Sequence, residues 1–274
     1  MEKFSDIYRK LLELHDSGGE GILATVIEKQ GSGPSRVGAK MLILPNGEYA
    51  GTVGGGSLER LTVRDALKLM EERKSAVKEY LLTENGDADE VSKTGMVCGG
   101  DVKIFFEYIA PLEEIFIFGA GHIGKALAYH LKNLPFKAFI VDIRKNADEN
   151  LPGVSLLTYK RFVDFFEARK ISSDSYFVIC TSSHETDYQI LREIYREKIS
   201  AKYIGMLASK NKAKTLVERL KAEIGDKIDL QNLYTPIGLD IGGDSPDEIA
   251  IAIISEILSV KYGRSRTQKL SLKF

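Results

Sequence analysis

The chain of 274 residues contains no tryptophan, seven prolines and only two cysteines, Cys98 and Cys180. Two thiols permit one disulfide at most, and neither stands in a CxxC pair, which excludes a disulfide scaffold and a thiolate zinc cluster. Any cysteine chemistry here is that of a single residue. No apolar run approaches the roughly 20 residues needed to cross a bilayer. Phe4, Ile7, Tyr8, Leu11 and Leu12 recur at helical spacing among charges, as in an amphipathic core helix and not a secretory leader, so the expectation is a cytoplasmic protein with no membrane partner. An excess of one charge is also missing. The 38 Lys and Arg balance 39 Asp and Glu to a net −1, interspersed along the chain, and no basic face attracts nucleic acid by counterion release.

The length suits two domains of ordinary size. With no internal repeat and no low-complexity linker, the boundary is read from a change of pattern near Pro111. Before it, helix is mixed with mostly antiparallel strands. Strands are expected at 22–28, 39–44, 48–53, 77–82 and 102–108, a helix at 58–73, and a hairpin at Asn46-Gly47. After it, short continuous apolar runs at 115–118, 138–141, 176–180 and 202–206 alternate with helices near 123–134, 187–197 and 209–224, as in a parallel sheet covered on both faces. Ser245-Pro246-Asp247-Glu248 reads as a capping box that opens a last helix running to about Tyr262. The fold class is α/β: an N-terminal α+β domain over residues 1–110, a Rossmann-type domain over 111–263, and a tail over 264–274.

Gly119-Ala120-Gly121-His122-Ile123-Gly124 sets the GxGxxG spacing directly after a strand and at the start of a helix, the context that raises a weak pattern to a dinucleotide fingerprint. Gly119 permits the tight turn, Gly121 lets backbone approach a pyrophosphate, Gly124 lets helix and strand pack, and the helix N-terminus faces the negative charge. His122 falls in the first helical turn, where it either meets the phosphates of a bound ligand or only shields the turn. Asp142 ends the second strand 18 residues after Gly124, where a carboxylate accepts from ribose hydroxyls; it favours NAD over NADP, although Arg144 is at hand for a 2′-phosphate.

Other residues also invite chemistry. Residues 31–40, with Ser35, Arg36 and Lys40, combine backbone amides, hydroxyls and two cations suited to an anion, or form an ordinary turn. Gly54-Gly55-Gly56-Ser57 joins a strand to a helix, so amides and helix dipole converge there, with Ser57 serving at least as a cap. Cys98 lies among glycines before a strand, either as a small buried hydrophobe or, if its pKa is lowered, as a sulfur nucleophile or soft-metal ligand. Cys180 ends an apolar strand and reads as core. His184 follows the same strand and could act as acid or base, oriented by Asp187 or Glu185, or simply belong to a polar loop. An NAD-dependent oxidoreductase and a nucleotide-sensing regulator both remain open on these residues. Asp240, Asp244, Asp247 and Glu248 cluster, but capping accounts for the last two, so no metal site is assigned to them.

Together, 31–41 (GSGPSRVGAKM), 51–59 (GTVGGGSLE), 95–101 (GMVCGGD), 118–124, 203–210 (YIGMLASK) and 236–248 (PIGLDIGGDSPDE) resemble the xanthine dehydrogenase accessory factor family, XdhC/CoxI, in order over nearly the whole chain. The resemblance implies a chaperone, often a homodimer, that binds molybdenum cofactor, supports its sulfuration by a cysteine desulfurase, and delivers it to a xanthine dehydrogenase-type apoenzyme. It places the cofactor on residues 31–40 and 54–57, with Cys98 near the metal or sulfur. Where the family pattern GGGCxE carries cysteine, this chain carries Ser57, which leaves Cys98 as the only motif thiol. The loop 180–187 also departs from the family pattern, retaining His184 and Asp187.

Overall fold

A computed structural model describes residues 4–31, 34–82, 88–90, 101–144, 147, 151 and 153–264. The chain divides into two units, Met1–Leu112 and Glu113–Phe274.

In the first unit, strands β1 (Gly21–Gln30), β2 (Lys40–Ile43), β3 (Tyr49–Gly51), β4 (Ala76–Leu82), β5 (Ala88–Glu90) and β6 (Asp101–Ile109) form an antiparallel sheet in the order β3-β2-β1-β6-β4-β5. Side chains alternate across a pleated strand, so each strand offers one face to each helix. Ile22, Ala24 and Val26 of β1 and Val102, Ile104 and Phe106 of β6 turn toward α2 (Gly56–Glu71), where Leu58, Ala66, Leu69 and Met70 are buried. Leu23 and Leu42 turn the other way and are covered by Ile7 of α1 (Phe4–Ser17). The β2–β3 hairpin closes at the expected turn: Asn46 Oδ1 accepts from the Glu48 N–H at 3.0 Å, and Gly47 has φ +82°. Among the described residues of this unit, one charged side chain is buried, Asp65 of α2. It accepts from the Tyr80 hydroxyl at 2.7 Å and meets Lys78 Nζ at 3.1 Å. Burial pushes its carboxyl up, but these partners and Arg64 outweigh that and hold it below the usual carboxylate value.

The second unit is a six-stranded parallel sheet ordered β12-β11-β10-β7-β8-β9, built from β7 (Glu113–Phe118), β8 (Phe136–Asp142), β9 (Val154–Thr158), β10 (Tyr176–Ile179), β11 (Tyr203–Met206) and β12 (Leu233–Tyr234). This is the doubly wound order, with the reversal falling between β7 and β10. The near-continuous apolar runs are explained by cover on both faces. Ile115, Ile117 and Ile140 pack with Leu127 of α3 (His122–Leu131) and Ile253 and Ile257 of α7 (Pro246–Lys261). Phe116, Phe118, Phe139 and Phe177 pack on the other face with Phe165 of α4 (Asp164–Ala168), Tyr188 and Leu191 of α5 (His184–Arg196) and Leu220 of α6 (Lys210–Ile224). The helix α7 starts as expected: Ser245 caps it, and Ser245 and Glu248 form the reciprocal box with Pro246 in the first turn. Among the described residues, no helix is long and apolar enough to cross a membrane.

Candidate functional sites

At the carboxyl ends of β7 and β10, successive strands hand their last hydrogen bonds to one another. The N–H of Gly119 donates to the carbonyl of Val141, that of Cys180 to Phe118, and that of Leu207 to Ile179. This brings the turn after β7 beside the loop after β10, the crevice where such sheets bind ligands. The three fingerprint glycines differ physically. Gly119 has φ +112°, and a Cβ there would lie 2.8 Å from the Cys180 carbonyl oxygen; at Gly124 it would lie 2.0 Å from the Gly119 carbonyl oxygen. Gly121, the N-cap of α3, has φ −78°, and an added Cβ meets nothing within 4 Å. The turn is therefore closed at Gly119 by the loop after β10 and at Gly124 by its own backbone, and it leaves the third glycine open outward, at a helix N-terminus that has no side-chain cap. His122 is exposed in the first turn of the helix.

Asp142 is buried and its carboxylate is already engaged. Oδ2 accepts from the Ala120 N–H at 2.7 Å and from Arg144 Nη2 at 2.9 Å; Oδ1 accepts from the Arg144 backbone N–H and Nε, both at 2.9 Å. Burial raises its pKa, and the Arg144 fork and two backbone N–H groups more than reverse the effect. The residue expected to meet a ribose thus braces the fingerprint turn, with Arg144 standing over it.

On the other side of the crevice, α5 begins at His184, three residues before its expected start, because the Ser183 hydroxyl accepts from the Thr186 N–H. His184 therefore belongs to a helical first turn, and Asp187 lies inside the helix, buried. Asp187 Oδ1 accepts from the Thr181 N–H at 2.9 Å and its hydroxyl at 2.7 Å, while Oδ2 is 3.9 Å from His184 Nδ1. Lys212 Nζ is 2.7 Å from His184 Nε2, and Glu185 pairs with Arg219. Lys212, on the next helix, carries no signal in the sequence. Cys180 is a free, buried thiol, pushed up to about 12 first by burial and then by the charges of Asp187 and Asp142, so it is inert core.

Burial raises the Asp187 pKa despite the Thr181 hydrogen bonds. The folded state therefore holds its proton more tightly than the unfolded chain does, and the associated stability is present below the unfolded value of 3.8 and lost as pH rises through the folded value. Asp187→Asn keeps an acceptor for Thr181 and removes this loss. Its stability relative to wild type, read from urea melts, should rise with pH from about pH 4 and then level off; a flat difference would refute the assignment.

In the first unit, the two glycine loops meet. Ser35 is 2% exposed, its Oγ has no partner among the described residues, and it packs on Gly54, where a Cβ would fall 2.2 Å from that oxygen. Gly54, Gly55 and Gly56 run at φ +141°, +84° and +62°, a conformation only glycine sustains at three consecutive positions. Nothing lies within 4 Å of a Cβ built at Gly55 or Gly56, so the backbone is open on that side. Gly55 is the N-cap of α2 without a side-chain cap, and its N–H donates to Glu59 Oε1 at 3.1 Å. Ser57, expected to cap this helix, instead lies inside its first turn, because the three glycines carry the chain into the helix earlier and Gly55 takes the cap position. Arg36 is exposed, and Lys40 Nζ donates to Thr25 Oγ1 at 3.0 Å. Cys98, the expected thiol and metal ligand, lies outside the described residues. Among the described residues, no group of three His, Cys, Asp or Glu is placed to hold a metal ion.

Residues 115–257 match the model of the XdhC Rossmann domain, and residues 14–81 that of the XdhC and CoxI family. The protein YqeB of Escherichia coli K12 is 30% identical over 259 residues, which are 93% of this chain and 46% of that protein; the chain spans about half of that relative's length. A probable xanthine dehydrogenase subunit of Bacillus subtilis 168 is 24% identical over an alignment of 341 positions, covering 95% of this chain and 98% of the relative. The crystal structure of a xanthine dehydrogenase from Bacillus halodurans superposes with a TM-score of 0.51 at 21% identity, covering 95% and 97% of the two chains, a likeness of fold. With more than half of its length matched by one family model, and its first unit matched in part by a second, the chain belongs to the XdhC family.

Proposed function

We propose that this protein is an accessory chaperone of a xanthine dehydrogenase-type molybdenum hydroxylase: it binds molybdenum cofactor on its first unit, supports sulfuration with a cysteine desulfurase as partner, and delivers the cofactor to the apoenzyme as a homodimer. Its second unit binds a dinucleotide across the Gly119–Gly124 turn. The name of the Bacillus subtilis relative supports the client class.

The observation that carries this reading is the buried Ser35 hydroxyl at the junction of the two glycine loops, which has no partner among the described residues. A buried hydroxyl without a partner costs roughly 1–3 kcal/mol, a cost that a ligand oxygen would relieve. Two features fit a phosphate-bearing cofactor there: the orphaned donor itself, and the open backbone at Gly55 and Gly56 that a Cβ would fill. Ser35, Arg36, Lys40 and the backbone of 54–57 would hold the phosphate or pterin, the Gly54 and Gly55 amides exchanging Thr52 and Glu59 for the ligand. When bound, the cofactor supplies a redox-active molybdenum with an exchangeable sulfur ligand. The protein's own part is to bind, orient and shelter. On the second unit, the engagement of His184 by Lys212 and of Glu185 by Arg219 favours binding over acid–base turnover.

Ser35→Ala separates ligand binding from structure. Removing an unsatisfied hydroxyl should leave stability unchanged or raise it by about 1 kcal/mol. Pterin fluorescence and molybdenum content of the purified protein should fall several-fold. Full cofactor retention in the variant would sink the assignment, and so would wild-type protein that takes up no pterin when cofactor is supplied.

A further inference from the structure

Arg144 presents a cation, not a carboxylate, at the place where the adenosine ribose of a dinucleotide is received. The Asp142 carboxylate accepts from Ala120 and Arg144 on both oxygens, so a ribose hydroxyl proton finds no ready acceptor there unless Arg144 leaves. A guanidinium has five N–H donors. Asp142 uses Nε and one on Nη2, and the Arg144 side chain is 61% exposed, leaving three donors that this carboxylate does not engage. Such donors suit a dianionic phosphate far better than a diol, whose hydroxyls must also donate.

A second feature points the same way. One residue on from Asp142, Ile143 borders a cavity of about 450 Å³ between the segment after β9 and the helix α5. Lys160, Arg161, Arg192 and Arg196 line it, against Glu167 and Glu193. Arg161 is paired with Asp164 and Arg196 with Glu193. Lys160 is exposed. Arg192 meets Glu223 through Nη1 at 3.5 Å, while its Nε is buried with no partner among the described residues. The arginines of the cavity are thus met by carboxylates, and what it adds next to the end of β8 is the exposed Lys160 and the Arg192 Nε that has no partner among the described residues.

We infer that the second unit selects a nucleotide whose adenosine ribose carries a 2′-phosphate, NADP-type over NAD-type, with Arg144 bridging Asp142 and the phosphate and Lys160 and Arg192 assisting. The inference rests on the reading that a dinucleotide binds here, and it reverses the preference that Asp142 alone suggests.

Calorimetric titration of the full chain with four probes tests it: 5′-AMP, adenosine 2′,5′-bisphosphate, NAD and NADP. The two 2′-phosphorylated probes should bind roughly tenfold or more tightly than their counterparts, one charge-assisted contact being worth at least that factor, and the gap should shrink with added salt. Arg144→Ala should erase the gap by weakening NADP while NAD holds or gains, because Asp142 becomes available. Since this variant also disturbs a buried carboxylate, Lys160→Ala, which removes an exposed side chain, should narrow the gap in a fold left intact. Equal or tighter binding of NAD overturns the inference while leaving the nucleotide site in place, as does a preference for NADP that neither variant reduces. Failure of all four probes to bind overturns the nucleotide reading with it.

Discussion

Gly124→Ala should unfold or severely destabilise the second unit, whereas Gly121→Ala should fold normally and lose dinucleotide. The two glycines are three residues apart in one turn and differ in what an added methyl group meets. At Gly124 it lands 2.0 Å from the Gly119 carbonyl oxygen, which is backbone and cannot rotate away. The start of α3 must then move off the end of β7, where Ile117 and Leu127 are fully buried in one cluster. Overpacking of this kind costs about 3 kcal/mol or more, or roughly 6–12 °C in the melting transition of a unit this size. At Gly121 the backbone is at φ −78° and ψ −173°, ordinary for any residue, and the methyl group meets no protein atom. The loss there is that of a glycine N-cap, under about 1 kcal/mol. The methyl instead occupies the approach of a pyrophosphate to the helix N-terminus, and binding should weaken on the order of a hundredfold, about 2.7 kcal/mol. Calorimetric melts and dinucleotide titrations of both variants check the pair. A Gly121→Ala protein that melts like Gly124→Ala, or one that binds dinucleotide normally, would show that the open side of this turn is not a ligand site.

The same contrast shows which parts of the molecule are legible from sequence. Long apolar runs report strands covered on both faces, and β7, β8, β10 and β11 lie within two residues of where they are expected. The strand β9 escapes notice because it is an edge strand only half-buried, so Val154, Leu156 and Leu157 make too short a pattern. The five-residue α4 has room for one turn, too few positions for a helical period, although its Phe165 is wholly buried. The glycine spacing reports the turn but not which glycines are closed by packing and which are open. That distinction depends on Cys180 and Ser35, residues distant in sequence that each approach one of them. Asp142 is legible as a carboxylate at the right strand end, while its capture by Arg144 is a matter of rotamer and burial that no spacing encodes. Buried acids are the least legible of all. Asp65, Asp187 and Glu256 look like surface charge until partners from other elements are in place.

Glu256 supplies the second large effect. It lies on α7 at helical spacing from Ile249, Ala252 and Ile253, so a carboxylate interrupts the apolar stripe, the one trace it leaves in the sequence. In the fold it is 1% exposed and accepts from the Tyr203 hydroxyl at 2.6 Å and from the Gly238 N–H at 3.0 Å. It therefore ties α7 to β11 and to the segment that follows β12, whose Leu239 N–H also reaches the Ala252 carbonyl. Glu256→Ala removes an acceptor from the Tyr203 hydroxyl and the Gly238 N–H and leaves a cavity, so a loss of about 4 kcal/mol is expected. Glu256→Gln retains a carbonyl oxygen and should cost well under half of that. Tyr203→Phe deletes one donor but leaves the acceptor with Gly238, for about 1–1.5 kcal/mol. Because both groups act through one contact, the Glu256→Ala and Tyr203→Phe losses should fall short of additivity in the double variant by at least about 0.5 kcal/mol. Limited proteolysis supplies a local readout: Glu256→Ala should expose residues 236–244 to cleavage under conditions where the first unit stays intact. Strict additivity in urea melts, or protection of that segment in the alanine variant, would mean that the 203–256 contact does not hold the segment in place.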